Sequence, residues 1–401
     1  MAALRYLRTS WINEYSRFHN VGANVQVKSL KKIVLFRGYV EDQRNSMEVY
    51  ADNLKANLRR LDQNWIEFDE FRPRISRLAD RLPELANFRM RVSRYVDFPI
   101  QTRQTCGMLN HILDHGYAHL LRVLDPNRTV LTVHDVIPIL RGIGKIRGVK
   151  VNRRPWLSEW TARHYKRARR IIATSKSTKH DLVKYCGCDP EIIKVVYLGV
   201  NSNFQPFSEE KRKECRVTLG LPQENVKLVL ITGQQFYKNQ VTSIRVMERL
   251  QHRYGDSIWL VRLGRSSSEW KLAIESSSFQ HQVAYLTDLP SDRMPQLYNA
   301  VDCLLFPSWY EGFGLPPVEA MATGTPVVTS CAGSLPEVVG EAGLMALPDD
   351  VVGLAEGVEA LLENESLRQA QIQKGLDHVK QFNWARNAAT TMEIYREIIE
   401  Q

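Results

Sequence analysis

The stretch SWYEGFGLPPVEAMATGTPVV, residues 308–328, places Glu311 and Glu319 on either side of a glycine-rich turn with two prolines. Apolar residues of strand length precede it, so we predict a strand over 301–307, a loop after it and a helix from Val318. The prolines fit the start of a helix, where their missing N–H group costs no hydrogen bond. The segment therefore predicts a strand–loop–helix unit.

This unit offers several groups to a ligand. Gly312 and Gly314 permit a close approach of backbone to ligand, and free N–H groups at a helix start suit anionic or hydroxyl-bearing ligands. Glu311 lies in the loop. Glu319 is predicted in the first helical turn, where the dipole favours its charge and its carboxylate can accept two hydroxyls. A lone glutamate here would be a helix cap, whereas the whole pattern favours a site for a ribose or a hexose.

Strand-length apolar runs alternate with helical patterns along the whole chain. Strands are predicted over 32–36, 65–68, 130–134, 170–174 and 194–198, and then over 227–232, 257–263, 282–286, 301–307 and 326–331. The intervening helices are predicted over 47–61, 155–168, 240–254, 292–300 and 352–380. Such alternation implies parallel sheets. The fold class is therefore α/β, with two doubly wound Rossmann-like domains that are joined by a polar linker over 199–210 and face a cleft.

Composition and charge limit the function further. The chain of 401 residues has 44% hydrophobic and 24% charged residues, which is typical of globular proteins. It has no apolar run of membrane-spanning length, no signal-peptide pattern and six scattered cysteines, so we expect a cytoplasmic protein. Residues 1–200 carry 36 Lys+Arg against 19 Asp+Glu, a net of +17, and residues 201–401 carry a net of −7. This asymmetry predicts an anionic partner for the first half.

The sequence resembles the family 4 retaining glycosyltransferases, which have the GT-B fold. The segment PSWYEGFGLPPVEAMATGTPVV, followed by GSLPEVVGEAGL, is similar to the donor-site motif of that family. Further similar segments occur in the family's order: TVHDVIPI (132–139), RARRIIATSKSTKHDLVKY (167–185), VVYLGVNSNFQP (195–206), TGQQFYKNQ (232–240) and LYNAVDCLLFPS (297–308). The resemblance covers residues 30–400 and implies three parts: an acceptor-side domain over 1–200, a nucleotide-sugar domain over 206–382 and a helix over 383–401 that crosses back.

The resemblance assigns roles to individual residues. Glu311 would lie at the donor sugar and Glu319 would bind the ribose. The amides of 312–315, which are Gly312, Phe313, Gly314 and Leu315, would hold the sugar hydroxyls and the diphosphate. His134, at a strand end, would lie near the C6 hydroxyl of the reacting sugar. No D-x-D metal motif occurs, so the resemblance implies neither a metal nor a cofactor besides the nucleoside-diphosphate sugar substrate.

Two segments depart from the family pattern. Gly233 and Lys238 match the family's glycine and its diphosphate-binding lysine, but Gln234 stands where an arginine is usual. Arg265, in the next strand's loop, is our candidate replacement. Near the N-terminus Gly38 stands alone where many members have a glycine pair, so the acceptor side cannot be transferred from the family.

Several functions follow from these expectations. A retaining transfer of a hexose to a glycan or lipid-linked glycan is predicted, with GDP-mannose favoured over UDP-sugars because the motifs resemble those of mannosyltransferases. The alternatives are a sugar-nucleotide epimerase or phosphorylase of the same fold, or a nucleic-acid-binding protein, for which no recognition motif is present. The segment WLSEWTARHYKRARR, residues 156–170, predicts a basic amphipathic helix. It suggests peripheral contact with an anionic inner membrane face and an acidic or lipid-linked acceptor.

Overall fold

The computed structural model describes residues 31–42, 44–61, 65–75, 86–103, 105–146, 151 and 156–401. The first sheet contains β1 (Lys31–Phe36), β2 (Ile66–Phe71), β3 (Leu109–Ile112), β4 (Thr129–Val133), β5 (Arg170–Ala173) and β6 (Ile193–Val195). The second contains β7 (Lys227–Thr232), β8 (Ile258–Leu263), β9 (Val283–Leu286), β10 (Cys303–Phe306), β11 (Val327–Ser330) and β12 (Gly343–Ala346).

Helices connect the strands and cover both sheets. In the first half they are α1 (Asn45–Arg60), α2 (Ala86–Val92), α3 (Phe98–Thr102), α4 (Ile137–Gly142), α5 (Trp156–Ala162) and α6 (Lys176–Cys186). In the second half they are α7 (Glu209–Thr218), α8 (Gln240–Tyr254), α9 (Ser268–Glu275), α10 (Met294–Ala300), α11 (Leu315–Ala322), α12 (Leu335–Val339), α13 (Val351–Glu363), α14 (Glu365–His378) and α15 (Trp384–Ile399).

Both sheets are parallel throughout, with strand orders β2-β1-β3-β4-β5-β6 and β12-β11-β10-β7-β8-β9. Strands such as β7 (KLVLIT) are apolar along their length because helices cover both faces of a parallel sheet. The order reverses between β1 and β3 in the first sheet and between β7 and β10 in the second. Loops diverge at such points and leave a crevice for ligands. The predicted α/β architecture with two doubly wound sheets is confirmed.

Two strands were not predicted. β3 has the sequence LNHI, and its two polar residues, Asn110 and His111, are buried. They are satisfied by hydrogen bonds, because Asn110 accepts from the Gly107 amide at 3.0 Å and the His111 ring contacts Thr132 Oγ1 at 2.7 Å. β12 is only four residues long and only partly buried. Neither has the apolar run that identifies a buried strand in a sequence.

The last helix, α15, packs against the first sheet. Tyr395 is fully buried, and its hydroxyl lies 2.5 Å from His111 Nδ1 on β3. Where the chain crosses, Val200 donates its amide to Phe382 O at 3.0 Å. Gly199 is needed there, since a Cβ atom at this position would lie 2.3 Å from the Trp384 nitrogen. One apolar core therefore continues from the first sheet through α15 into the second domain.

Further contacts join the start of α6 to the second domain. Thr178 Oγ1 donates to Gly312 O at 3.2 Å, and the Tyr310 hydroxyl donates to the Asp181 carboxylate. Glu337 accepts the amide N–H groups of residues 176 and 177. These contacts bring the loop after β10 against the loop after β4.

Candidate functional site in the interdomain cleft

A cavity of about 710 Å³ lies between the two sheets. Its first wall consists of segments that follow β1, β2, β3 and β4, together with α5 and the turn after it. Its second wall consists of the loop that follows β7, the end of β8, and helices α10 and α11. This volume is within the usual range for a small-molecule site. The cavity lies at the carboxyl ends of the strands, where the strand orders predict a ligand.

The loop after β10 reaches the first domain at its glycines. A Cβ atom at Gly312 would lie 2.0 Å from His134 O, so only glycine permits this approach. Gly314 has φ +100° and precedes α11. The helix begins at Leu315 rather than at Val318, because the two prolines occupy its first turn instead of preceding it.

Glu319 lines the cavity and receives a hydrogen bond from the Tyr298 hydroxyl at 2.8 Å. Because α11 starts early, Glu319 lies beyond the first turn, and the predicted help from the helix dipole is wrong. Burial instead raises the pKa of Glu319 to about 7, although the Tyr298 hydrogen bond works in the other direction. The carboxylate therefore changes charge near neutral pH. Tyr298 was not predicted as a site residue, although it lies in the family-like segment LYNAVDCLLFPS.

Glu311 and Lys238 form a buried ion pair. Lys238 Nζ lies 2.8 Å from Glu311 Oε1, and the side chains are only 11% and 8% exposed. Lys238 also lines the cavity, and its ammonium lies 4.6 Å from the centre of the Phe306 ring. Gly233, with φ +90°, lets the lysine chain fold over it, since a Cβ atom would lie 3.0 Å from that chain. The structure thus places the Lys238 cation at the cavity wall, whereas its partner Glu311 is not among the lining residues.

The structure does not bring Arg265 to the cavity. Its side chain is 73% exposed and pairs with the equally exposed Asp288 at 3.5 Å. Arg262 on β8 is instead fully buried, with its guanidinium 2.8 Å from Arg265 O and 2.9 Å from Gln240 Oε1. Burial lowers the pKa of Arg262 to about 10, so it stays protonated at neutral pH. A lone arginine inside the apolar run IWLVRL was the signal that our sequence reasoning missed.

His134 lies beside the cavity wall and is not among the residues that line the cavity. Its Nε2 lies 2.9 Å from Leu113 O, and the Tyr50 ring packs edge-on at 4.8 Å. Burial lowers the pKa of His134 to about 4, so the ring is neutral at pH 7. Of the four predicted amide positions, only Leu315 lines the cavity, while Phe313 packs on Tyr197 and Phe382. The proposed sugar contacts of these residues stay predictions.

The first wall contains functional candidates that the sequence did not reveal. They are Asp42, Arg44, Arg94, His115, Asp135 and Tyr165. Arg44 pairs with the buried Asp114 at 2.8 Å, and Arg94 pairs with Asp42. Burial raises the pKa of Asp114, but Arg44, His115 and the Gly116 amide together outweigh it and bring the value to about 2. The signals in the sequence were the unusual segment after Gly38, which contains Asp42 and Arg44, and the segment TVHDVIPI, which contains Asp135.

The predicted amphipathic helix over 155–168 is largely wrong. α5 ends at Ala162, and a short 3₁₀ turn follows at Tyr165–Arg167. Trp160 packs among aromatic rings and histidines of the first domain, while Trp156 is exposed. The basic residues at 147–150 and 152–155 lie outside the described part of the chain. Among the described helices, none is long and apolar enough to cross a membrane.

Two sequence families match the chain. The family described as Glycosyltransferase Family 4 matches residues 108–204, and the family described as Glycosyl transferases group 1 matches residues 211–378. The first match falls largely on the first of the two Rossmann-like domains and the second match on the second domain. The chain belongs to the family 4, group 1 glycosyltransferases.

Three relatives show the range of the family. O-antigen chain mannosyltransferase B of Escherichia coli is 41% identical over 127 residues, which cover 32% of this chain and 33% of that protein. D-inositol 3-phosphate glycosyltransferase of Corynebacterium kroppenstedtii is 27% identical, over 58% of this chain and 54% of that protein. Serotype-specific mannosyltransferase WbdA of E. coli is 27% identical, over 69% of this chain and 34% of that protein. The chain thus spans between a third and about half the length of these relatives.

Two solved structures show the same fold. Sucrose-phosphate synthase from Thermosynechococcus elongatus superposes with a TM-score of 0.74 at 18% identity, over 92% of this chain and 99% of that one. HepE of Anabaena, in complex with UDP and glucose, superposes with a TM-score of 0.68 at 18% identity, over 91% of this chain and 99% of that one. These matches confirm the predicted GT-B fold and, at such identities, nothing beyond the fold.

Proposed function

We propose that this protein is a retaining glycosyltransferase that moves a hexose from a nucleoside-diphosphate sugar to a glycan or lipid-linked glycan. The observation that carries this proposal is the second wall of the cavity, which is lined by Lys238, paired with Glu311, and by Glu319 with its partner Tyr298. A ribose would bind at Glu319 and a diphosphate at Lys238. The sugar would then lie next to the loop after β10.

The leaving diphosphate gains negative charge as the glycosidic bond breaks. Lys238 is a preorganised cation for that charge, because its ion pair and the surrounding rings fix it in place. Arg262 supports the same region by binding the carbonyl oxygens of Leu263 and Arg265. In this proposal Arg262, rather than the exposed Arg265, is the arginine that organises the diphosphate loops.

Retention requires either a carboxylate nucleophile or attack on the face that the phosphate leaves. Retaining hydrolases use a free carboxylate as nucleophile. Glu311 is 8% exposed and held by Lys238, which makes it a poor nucleophile. We therefore favour attack on a single face. The acceptor oxygen bonds to the anomeric carbon of the sugar as the bond between that carbon and the phosphate oxygen breaks. The proton of the acceptor hydroxyl passes to the leaving phosphate. Glu311 positions Lys238 and stabilises positive charge on the sugar.

GDP-mannose is the proposed donor. The two E. coli mannosyltransferases among the relatives support mannose, whereas the structural match to a protein bound to UDP and glucose supports the fold only. The residues described here include no group of three or more His, Cys, Asp or Glu side chains that could hold a metal ion. Metal independence stays a proposal, to be tested by adding EDTA to the transfer assay.

A proposed contact with an anionic membrane rests on the charge of residues 1–200 alone, since the described part of the basic segment does not form the expected amphipathic helix. Flotation with liposomes tests it. Binding to anionic vesicles should exceed binding to neutral ones and fall as salt rises. Equal binding to anionic and neutral vesicles would contradict the proposed contact with an anionic membrane.

The test of the function is an assay of nucleotide release with GDP-mannose, with and without a glycan acceptor, followed by NMR of the product. The proposal expects release that depends on acceptor and a product with the anomeric configuration of the donor. An inverted product would exclude retention. Isomerised sugar nucleotide without acceptor would indicate an epimerase, and sugar 1-phosphate formed from glycan and phosphate would indicate a phosphorylase.

A further inference from the structure

His115 presents an N–H group to the cavity. It follows β3, is 6% exposed and lines the cavity. Its Nδ1 accepts the amide N–H of His134 at 3.3 Å, so the neutral ring carries its proton on Nε2. Among the residues that the structure describes, this Nε2 has no hydrogen-bond partner, and Asp135 Oδ1 at 3.9 Å is beyond hydrogen-bond distance.

Asp135 presents a fixed carboxylate beside that N–H group. It follows β4 and lines the same cavity, and its Oδ1 accepts the amide N–H of Ile137 at 2.9 Å. This hydrogen bond orients the carboxylate and leaves its second oxygen without a described partner. A donor and an acceptor 3.9 Å apart match one hydroxyl group, which can accept from Nε2–H and donate to the carboxylate.

The pair lies next to the donor side of the cleft. A Cβ atom added at Gly312 would lie 2.7 Å from Asp135 Cβ, so the loop that follows β10 touches Asp135 directly. Tyr165 packs edge-on to His115 with ring centres 6.4 Å apart, and Ser158 and Thr161 add hydroxyl groups to this part of the cavity. A hydroxyl bound at His115 would therefore face the place where the donor sugar is proposed to lie.

The charges around this pair do not favour an anion. The two arginines of the first wall, Arg44 and Arg94, are each paired with a carboxylate, Asp114 and Asp42. Asp135 has no lysine or arginine partner among the described residues. An acidic sugar would meet a carboxylate without gaining a free cation, whereas a neutral sugar loses nothing here.

We propose that His115 and Asp135 form the acceptor subsite, that they bind the attacking hydroxyl, and that this hydroxyl belongs to a neutral sugar. The inference rests on the proposed glycosyl transfer and adds the acceptor's binding site and chemical class. It differs from the sequence-based expectation of an acidic acceptor, which the same test addresses.

The test is ligand-detected NMR on the full chain loaded with GDP. The probes are methyl α-mannoside, methyl α-glucoside and methyl β-galactoside as neutral sugars, and methyl α-glucuronide as the acidic one. The variants are His115→Ala, Asp135→Asn and His115→Gln, in which the glutamine amide can replace the Nε2–H donor. His180→Ala, an exposed histidine on α6 in the same domain, is the matched control. Thermal unfolding of each variant checks its folding.

The expected result is that at least one neutral sugar binds the GDP-loaded protein and the glucuronide binds at least tenfold more weakly. His115→Ala and Asp135→Asn should weaken sugar binding at least tenfold with GDP affinity unchanged, while His115→Gln recovers part of it and His180→Ala changes nothing. In the transfer assay the loss should fall on the acceptor KM more than on the donor KM.

Three results would overturn the subsite: equal sugar binding by wild type and His115→Ala, tighter binding of the glucuronide, or no neutral sugar bound while GDP binds. In each of these cases GDP binding leaves the proposed transferase function standing. If none of the common nucleoside diphosphates binds the wild-type protein, the proposed function itself fails.

Discussion

The two walls of the cleft are built differently. The second wall takes its main groups from two short segments: Gly233 and Lys238 after β7, and residues 315–319 at the start of α11. The first wall takes its polar groups from five separated segments, which contain Asp42 and Arg44, Arg94, His115, Asp135, and Tyr165. A wall made from short motifs can be read from a sequence. A wall made from scattered residues becomes visible only when the fold brings them together.

The same difference holds for chemistry. The second wall would bind groups that every nucleoside-diphosphate sugar has, a ribose and a diphosphate, and its loop–helix geometry suits both. The first wall would bind an acceptor, and its two arginines are held in ion pairs with Asp114 and Asp42. We therefore expect changes in the second wall to affect nucleotide binding and changes in the first wall to affect only what the nucleotide-loaded protein accepts.

The largest expected effect comes from removing α15, the helix that links the domains behind the two walls. Deleting residues 382–401 removes α15, whose Trp384 and Tyr395 belong to the core that links the two domains. The deletion should destabilise both domains. The single cooperative unfolding transition that we expect for the wild-type protein should be lost in the deletion variant. Thermal unfolding followed by circular dichroism measures it. An unchanged transition would show that α15 does not join the domains.

Lys238→Ala should come next. It leaves the Glu311 carboxylate buried without its partner, which typically costs about 3–5 kcal/mol of the free energy of unfolding. The variant should also lose about 10- to 100-fold in nucleoside-diphosphate affinity, the effect of one charge-assisted hydrogen bond. Urea unfolding and calorimetric titration measure these two quantities.

A matched ion pair on the first wall provides the control. Arg44→Ala leaves the buried Asp114 unpaired and should also destabilise the protein, but its nucleoside-diphosphate affinity should equal that of the wild type. If Arg44→Ala weakened nucleotide binding as much as Lys238→Ala, the separation of the two walls would be wrong.

Glu319→Gln tests the second wall through the pH dependence of the free energy of unfolding. The folded protein raises the pKa of Glu319 from 4.5 to about 7, so it binds this proton more tightly than the unfolded chain. The wild type therefore loses stability as pH rises through this range. The variant should be more stable than wild type at pH 8, by up to about 3 kcal/mol, and equal to it below pH 4.5. Urea unfolding at both pH values measures this.

The same variant should bind nucleotide more weakly at pH 8, because the amide replaces one of the two acceptor oxygens of the carboxylate with an NH2 donor. Wild-type nucleotide affinity should itself fall as pH drops below 7, where the carboxyl group takes up its proton. A nucleotide affinity independent of pH between 5.5 and 8 would mean that Glu319 does not contact the ligand.

The smallest effect is expected for Arg265→Ala. Because this side chain is exposed and pairs only with an exposed aspartate, nucleoside-diphosphate affinity should stay within about twofold of wild type. Arg262→Lys should reduce nucleoside-diphosphate affinity more than Arg265→Ala does. A lysine cannot replace the planar guanidinium donors that hold Gln240 and the carbonyl oxygen of Arg265. A tenfold loss in Arg265→Ala would restore it as the substitute for the missing arginine at Gln234.

Much of the fold could be predicted from the sequence. The bounds of β7 and α8 agree with the predicted ones, because a fully apolar run and a clear helical period mark them. β3 was missed because its buried polar residues are satisfied by tertiary hydrogen bonds that no local pattern shows. α11 begins three residues early because prolines can occupy a first turn as well as precede it.

The site could be predicted only in part. Lys238 and Glu319 were identified because they lie in motifs with fixed spacing, and both line the cavity. Tyr298 and His115 have no such spacing; they face the cavity only because parallel strands bring distant loops to one edge. The burial that raises the pKa of Glu319 is likewise a property of the packed protein and not of its local sequence.

The most direct test of the account is calorimetric titration of GDP, UDP, ADP and dTDP into the wild-type protein, Glu319→Ala and Asp135→Asn. We predict that at least one nucleotide saturates the wild type, that Glu319→Ala weakens its affinity at least tenfold, and that Asp135→Asn leaves it unchanged. If no nucleotide binds the wild type, or if Glu319→Ala binds it as tightly, the assignment of the second wall to the donor is contradicted.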